Sequence, residues 1–215
     1  MPVSIVVVDS HRLVRQGLIA LLESKSDISV VGEADSGPSA VELVKKLNPD
    51  VMITEINLPG LNGIDVARNI HSALPDIKIV ALSARVEERF VVEMLKAGAS
   101  AFLTKHCSID ELHQAIKIVC DGQTYLSPTI TGNVLKHFFD QSTGKLQPNG
   151  SVLSGREREV LQRVAEGNSS KQIAILLHVS HNTVIRHRQH ITDKLGINGV
   201  AELTRYAIRE GLLEP

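Results

Sequence analysis

The chain has 215 residues, 43% of them hydrophobic and 22% charged, with a formal net charge of −1, a composition suited to a soluble globular protein with room for one large domain or two ordinary ones. No apolar run approaches the roughly 20 residues of a membrane-spanning helix, and two cysteines, Cys107 and Cys120, are too few for a disulfide framework. Met1 to Val8 passes straight into a strand-like run with no basic stretch or cleavage site, so a cytoplasmic protein with free thiols and no membrane attachment is expected. The small net charge hides an asymmetry. Residues 1–125 hold 12 Lys and Arg against 16 Asp and Glu, whereas residues 152–215 hold 9 against 7 and add His178, His181, His187 and His190. An acidic module joined to a polyanion reader suits that split.

Short β-branched runs occur at Val3–Val8, Ile28–Val31, Val51–Thr54, Ile77–Leu82 and Ala101–Leu103. Between them lie stretches with helical spacing, such as Leu13, Leu18, Leu21 and Leu22, then Val41, Val44 and Leu47. Strand and helix alternating five times predict a five-stranded parallel sheet with helices on both faces. The unbroken run Ile5 to Val8 reads as a strand buried on both faces. Ser108 with Glu111 predicts a capping box at the last helix of this domain.

A further short helix is expected after Pro128, carrying Ile130, Val134, Leu135 and Phe138. The polar stretch Gln141 to Ser151, QSTGKLQPNGS, has a linker's composition. Beyond it come 64 residues of helical pattern without a strand candidate. The expected organisation is a first domain over 1–124, a linker with a short helix over 125–150 and an all-helical domain over 151–215.

In an open parallel sheet, ligands bind outside the carboxyl ends of the strands. Asp9 and Ser10 follow strand one, Glu55 strand three, Ser83 strand four and Lys105 strand five. Two carboxylates, hydroxyls and an ammonium on one edge can hold a hard cation and steer a phosphoryl group.

The segments VGEADSG (31–37), PDVMITEINLPGLNG (49–63) and LKAGASAFLTK (95–105) resemble the receiver domain of two-component response regulators of the NarL/FixJ class, and the resemblance runs over essentially the whole chain. It implies a flavodoxin-like receiver in which an Asp at the end of strand three takes a phosphoryl group from a histidine kinase. It also implies an acidic pair after strand one that binds Mg²⁺, and a Ser/Thr and a Lys that contact the phosphoryl group. Asp9, Ser83 and Lys105 match these positions. Ser10 stands where the second metal-binding acid is expected, and Glu55 where the phospho-accepting Asp is expected. The extra methylene moves the carboxylate by about 1.5 Å, and in-line transfer loses about 100-fold for a 1 Å misplacement.

Loss of an acid at Ser10 also weakens a Mg²⁺ site, which would have to rest on Asp9 and Glu55 alone. No cofactor is required on this reading, and a cognate histidine kinase is not implied. Glu55 is instead expected to reach Lys105 and imitate the phosphorylated state, giving a regulator that acts independently of Asp phosphorylation. Two alternatives stay open: a conventional regulator phosphorylated on Glu55, and an interaction protein that binds other regulators. Phe102 stands where the family often has a switch aromatic and reads equally as strand core. His106-Cys107 reads as a surface dipeptide.

In the last domain, Ser154 with Glu157 reads as a capping box before Val160, Leu161 and Val164, with Gly167 closing the helix. Ile173, Ala174 and Leu177 face inward from a second helix; a turn at His178-Val179 leads to a third, capped by Ser180 and ending at Gly196. This spacing is that of a helix-turn-helix. Val184, Ile191 and Leu195 share the inward sector of the third helix, with Asn182, Arg186, Gln189 and Asp193 opposite and Ile185 and His190 beside them. Arg and Gln suit guanine and adenine edges, and Ile185 a thymine methyl. Lys171, Thr183, His187, Arg188, His190 and Lys194 are candidates for backbone phosphates.

Residues 153–197, LSGREREVLQRVAEGNSSKQIAILLHVSHNTVIRHRQHITDKLGI, are similar to a LuxR-type helix-turn-helix, in which many relatives carry Lys at the positions of Asn182 and Ile185. The resemblance implies double-stranded promoter DNA as partner, a four-helix domain and a homodimer paired through the last helix, Val200 to Arg209, which presents Leu203, Tyr206 and Ala207. An enzyme is not expected, because nothing pairs a nucleophile with a base and no glycine-rich nucleotide loop is present.

Overall fold

The computed structural model describes residues 1–84, 88–132, 153–197 and 199–213. The chain divides into two compact units, Met1–Leu146 and Gln147–Pro215. The first alternates strands and helices: β1 (Val3–Val8), α1 (Arg12–Glu23), β2 (Ile28–Ala34), α2 (Gly37–Leu47), β3 (Val51–Thr54), α3 (Gly63–Ala73), β4 (Lys78–Ser83), α4 (Glu88–Lys96), β5 (Ala101–Thr104), α5 (Ile109–Cys120) and β6 (Tyr125–Leu126). The strands form one parallel sheet in the order β2-β1-β3-β4-β5-β6.

The strand residues point alternately to two cores, as a pleat requires. Val6, Val8, Met52, Ile79, Ala81 and Phe102 join α2, α3 and α4 residues such as Val44, Ile70 and Met94. Ile5, Val7, Ile53, Val80 and Leu103 join Leu22 of α1 and Leu112, Ile116 and Val119 of α5. Each large side chain so buried contributes about 1.5–3 kcal/mol. Burial on both faces explains why these strands read as continuous apolar runs. Phe102 belongs to this core, fully buried.

Two expectations about this unit are corrected. The sheet has six strands, not five: Tyr125–Leu126 pairs with Ala101–Phe102, inside the stretch read as linker. Two half-buried residues are too few to show a period of two. The helical spacing of Leu13, Leu18, Leu21 and Leu22 is that of α1, although Leu13 and Leu21 are 84% and 51% exposed and of the four only Leu22 is buried. The helix carries more leucines than one stripe against the sheet can cover. At α5, Ser108 accepts the Glu111 N–H, but the Glu111 carboxylate takes the Tyr125 hydroxyl at 3.2 Å. Residues 128–132 are helical and Ile130 is buried in the first core; Val134, Leu135, Phe138 and Gln141 to Val152 lie outside the described residues.

The second unit holds, among its described residues, α6 (Gly155–Ala165), α7 (Ser170–Leu176), α8 (His181–Leu195) and α9 (Val200–Arg209). The Ser154–Glu157 capping box is present in both arms, and a second one, Ser169 with Gln172, opens α7. Ser180 accepts the Thr183 N–H at the start of α8, and Gly196, at φ 66°, ends it; that left-handed conformation is unfavourable for residues with a Cβ. Val160, Leu161, Ile173, Val184 and Ile191 form the core, joined by Leu203 and Ala207 of α9. The reading that α9 presents Leu203 and Ala207 outward is therefore corrected, since both are buried within their own domain.

Candidate functional site

The order β2-β1-β3 places β1 and β3 side by side with Val8 opposite Thr54. The residues that follow, Asp9 and Glu55, come together where the sheet's connections change direction, the place a ligand crevice forms. Backbone bonds fix both: Glu55 N–H donates to the Val8 carbonyl at 3.0 Å and Asp9 N–H to the Ala34 carbonyl at 3.1 Å. Gly63 lets α3 begin directly beneath, because a Cβ there would lie 2.1 Å from the Glu55 carbonyl oxygen.

Lys105 reaches in from the end of β5, its N–H anchored on the Ser83 carbonyl at 2.9 Å. Its ammonium lies 2.6 Å from Asp9 Oδ2 and 2.6 Å from Glu55 Oε2. The two carboxylate side chains are 3% exposed and Lys105 15%. The remaining oxygens are occupied too: Asp9 Oδ1 accepts the His11 N–H at 2.8 Å, and Glu55 Oε1 accepts the Ile56 N–H at 2.6 Å. Burial opposes the charge on Lys105, but the Glu55 charge and the hydrogen bonds to Asp9 and Glu55 outweigh it and raise its pKa.

This donor set does not suit Mg²⁺. The ammonium already sits between the two carboxylates, all four of their oxygens have a partner, and Ser10 adds no charge; a hard cation needs several free oxygen ligands. Ser10 turns aside, its hydroxyl 3.4 Å from His11 Nδ1. Ser83 is buried at the end of β4.

The sequence reading missed Arg15 of α1. It is buried, donates from Nη1 to the Asp9 carbonyl at 2.6 Å and from Nε to Glu33 at 2.8 Å. An arginine among the apolar residues of α1 is the signal that could have revealed it, since a buried guanidinium needs acceptors. Cys107 packs against the α5-side core and burial raises its thiol pKa, so only His106 of that dipeptide is exposed.

On the second unit, Asn182, Ile185, Arg186, Gln189, His190 and Asp193 are exposed along one side of α8, as expected. The permanent cations differ in their freedom. Arg188 donates to the Ser170 hydroxyl at 3.0 Å, joining α8 to α7. Lys194, expected at a phosphate, lies 2.6 Å from Glu157 Oε2 with its side chain 42% exposed. Burial would raise the Glu157 pKa, but the Lys194 contact and the Ser154 N–H and hydroxyl lower it to about 2. Arg186 on α8 and Lys171 on α7 have no hydrogen-bond or ion-pair partner among the described residues. His187 is half-buried; burial, then Arg156, lowers its pKa. Thr183 lies at the helix start, its hydroxyl 2.8 Å from that of Ser180.

A family model described as the response regulator receiver domain matches residues 5–117, and one described as bacterial regulatory proteins, luxR family, matches residues 151–207. The chain belongs to the response regulator family. The Brevibacillus brevis transcriptional regulatory protein DegU is 33% identical, over 97% of this chain and 94% of its own length. The probable transcriptional regulatory protein NarL of Mycobacterium tuberculosis is 35% identical, over 99% of this chain and 96% of its own. Among solved structures, the response regulator ChrA of a heme-sensing two-component system is 30% identical over 99% of both chains, with a TM-score of 0.54. This response regulator is thus a DNA-binding transcription regulator with a LuxR-type helix-turn-helix. None of its described helices is long and apolar enough to cross a membrane.

Proposed function

We propose that this regulator acts without phosphorylation of its receiver, with Glu55 standing in for a phosphorylated aspartate, and binds promoter DNA as a homodimer in the cytoplasm. The observation that carries this reading is the position of Lys105, 2.6 Å from Glu55 Oε2. The longer acid delivers an anionic oxygen about 1.5 Å beyond an aspartate's reach, as a phosphoryl oxygen on the shorter side chain would. The partnered carboxylate oxygens and Ser10 support a receiver that needs neither Mg²⁺ nor a cognate kinase.

In the second domain, Asn182, Arg186 and Gln189 are the residues assigned to base edges and Ile185 to a thymine methyl. Lys171, Thr183 and Arg188 are assigned to the backbone. Lys194 holds α8 in place through Glu157.

The test compares wild type, Glu55→Asp and Glu55→Ala for dimerisation and promoter-fragment binding, with and without acetyl phosphate and Mg²⁺. Wild type is expected to bind without the donor. Glu55→Ala should bind at least about fivefold more weakly, the lower end of ordinary allosteric coupling, and only Glu55→Asp should respond to the donor. A wild type that binds only after acetyl phosphate treatment overturns the reading.

A further inference from the structure

Permanent cations are sparse where α8 meets solvent. Arg188 is engaged with Ser170 and Lys194 with Glu157, which leaves Arg186 as the one arginine or lysine of α8 without a partner among the described residues. Beside it stand two histidines three residues apart, His187 half-buried and His190 exposed. Residues at that spacing share a helix face, and here they flank the side that carries Arg186 and Gln189. Neither imidazole has a hydrogen-bond partner among the described residues, so both retain their N–H groups for an incoming acceptor.

We infer that His187 and His190 are proton-linked DNA contacts, so that binding of a nucleic-acid polyanion takes up protons and tightens as pH falls from 8 to 6. This inference rests on the reading of α8 as the DNA-contacting helix, not on the role assigned to Glu55.

The charges around His187 favour such coupling. The charges acting on His187 are, from α6, Arg156, which opposes its protonation, and Glu157, which favours it; from α8 itself Arg186 and His190 oppose it. Glu157 is already paired with Lys194 at 2.6 Å. In the free protein burial and cationic neighbours therefore hold His187 below the ordinary imidazole range. A phosphate beside the ring reverses that balance, because an opposite charge within about 4–6 Å favours the charged form. The bound state then holds more protons than the free state, and affinity must rise on acidification. Each imidazolium at a phosphate also releases a counterion, so the salt dependence must steepen as well.

The experiment uses the full-length protein and a labelled 30-base-pair duplex of mixed sequence, since phosphate contact is independent of base order. Fluorescence anisotropy gives Kd at pH 6, 7 and 8 at fixed ionic strength, and across a salt series at pH 6 and 8. Wild-type Kd is expected to fall about tenfold from pH 8 to pH 6, the effect of roughly one proton taken up over part of that interval. The slope of log Kd against log salt should steepen by about one. In H187Q/H190Q, shown by thermal melting to be folded, the pH dependence should shrink to less than about twofold; exposed H190Q alone should show an intermediate value. A flat wild-type profile, or an undiminished profile in the double variant, overturns the proton linkage alone; no binding of the duplex at any pH from 6 to 8 overturns it together with the DNA-contact reading on which it rests.

Discussion

The two candidate sites of this molecule treat charge in opposite ways. At the carboxyl edge of the sheet, Asp9, Glu55 and Lys105 satisfy one another, and backbone N–H groups complete both carboxylates. Along α8, Asn182, Arg186, Gln189 and His190 are exposed. Where cations of that helix are engaged, as Arg188 and Lys194 are, the bond joins α8 to its neighbours. A closed set of charges suits a state held without an external ligand, and an open set suits a surface awaiting one.

The sharpest way to break that contrast is to remove the shared cation. Lys105→Met leaves two buried carboxylates uncompensated and is expected to destabilise the receiver unit by about 3–5 kcal/mol, read from urea unfolding of the full chain. The pKa of Lys105 is raised by its partners against the cost of burial. Its stabilisation is therefore complete below the unfolded lysine pKa and is lost only as pH climbs through the higher folded value.

Gly63→Ala attacks the same site from beneath. Its Cβ would meet the Glu55 carbonyl at 2.1 Å, and overpacking of this kind costs about 1–3 kcal/mol. The backbone shift that relieves it should also move Glu55 away from Lys105, visible as altered chemical shifts of the Lys105 side chain.

Lys194→Met sharpens the contrast in the other unit. Loss of a charge-assisted bond to Glu157 should cost about 1–2 kcal/mol of domain stability. The salt slope of DNA binding should not change, whereas loss of a phosphate contact would reduce it by about one. Glu157 has its pKa lowered from 4.5 to about 2, so its stabilisation is present above the unfolded value and fades as pH falls from 4.5 towards 2. Thermal melts across that interval check the sign. Smallest of all, Ile185→Ala removes one exposed apolar contact and should weaken specific DNA binding by about 0.8 kcal/mol, the worth of one buried methylene, with stability unchanged.

The sequence displayed the parts of this molecule whose structure is periodic. Strand runs such as Ile5 to Val8 and the inward sector Val184, Ile191 and Leu195 were legible because burial imposes a period on the chain. So were the residues at strand ends, because parallel strands bring Asp9, Glu55 and Lys105 to one edge. What the sequence concealed depends on partners distant along the chain. Nothing near Lys194 announces Glu157, 37 positions earlier, and the two residues of β6 carry no pattern. Leu13 and Leu21 show the converse: hydrophobic spacing reports which residues can be buried, not how much neighbouring surface exists to bury them.

The bond between Lys194 and Glu157 has a mechanical consequence. Glu157 Oε2 also accepts the Ser154 N–H at 2.7 Å, so the last turn of α8 is braced against the first turn of α6, and the chain between them forms a closed frame. With Arg188 fastened to Ser170 partway along, α8 is held at two points of its length. Both contacts oppose a pivot of the helix on its own. If α8 is the helix that enters a DNA groove, as proposed, its docking angle is set when the domain folds, and little ordering entropy is left to lose on binding.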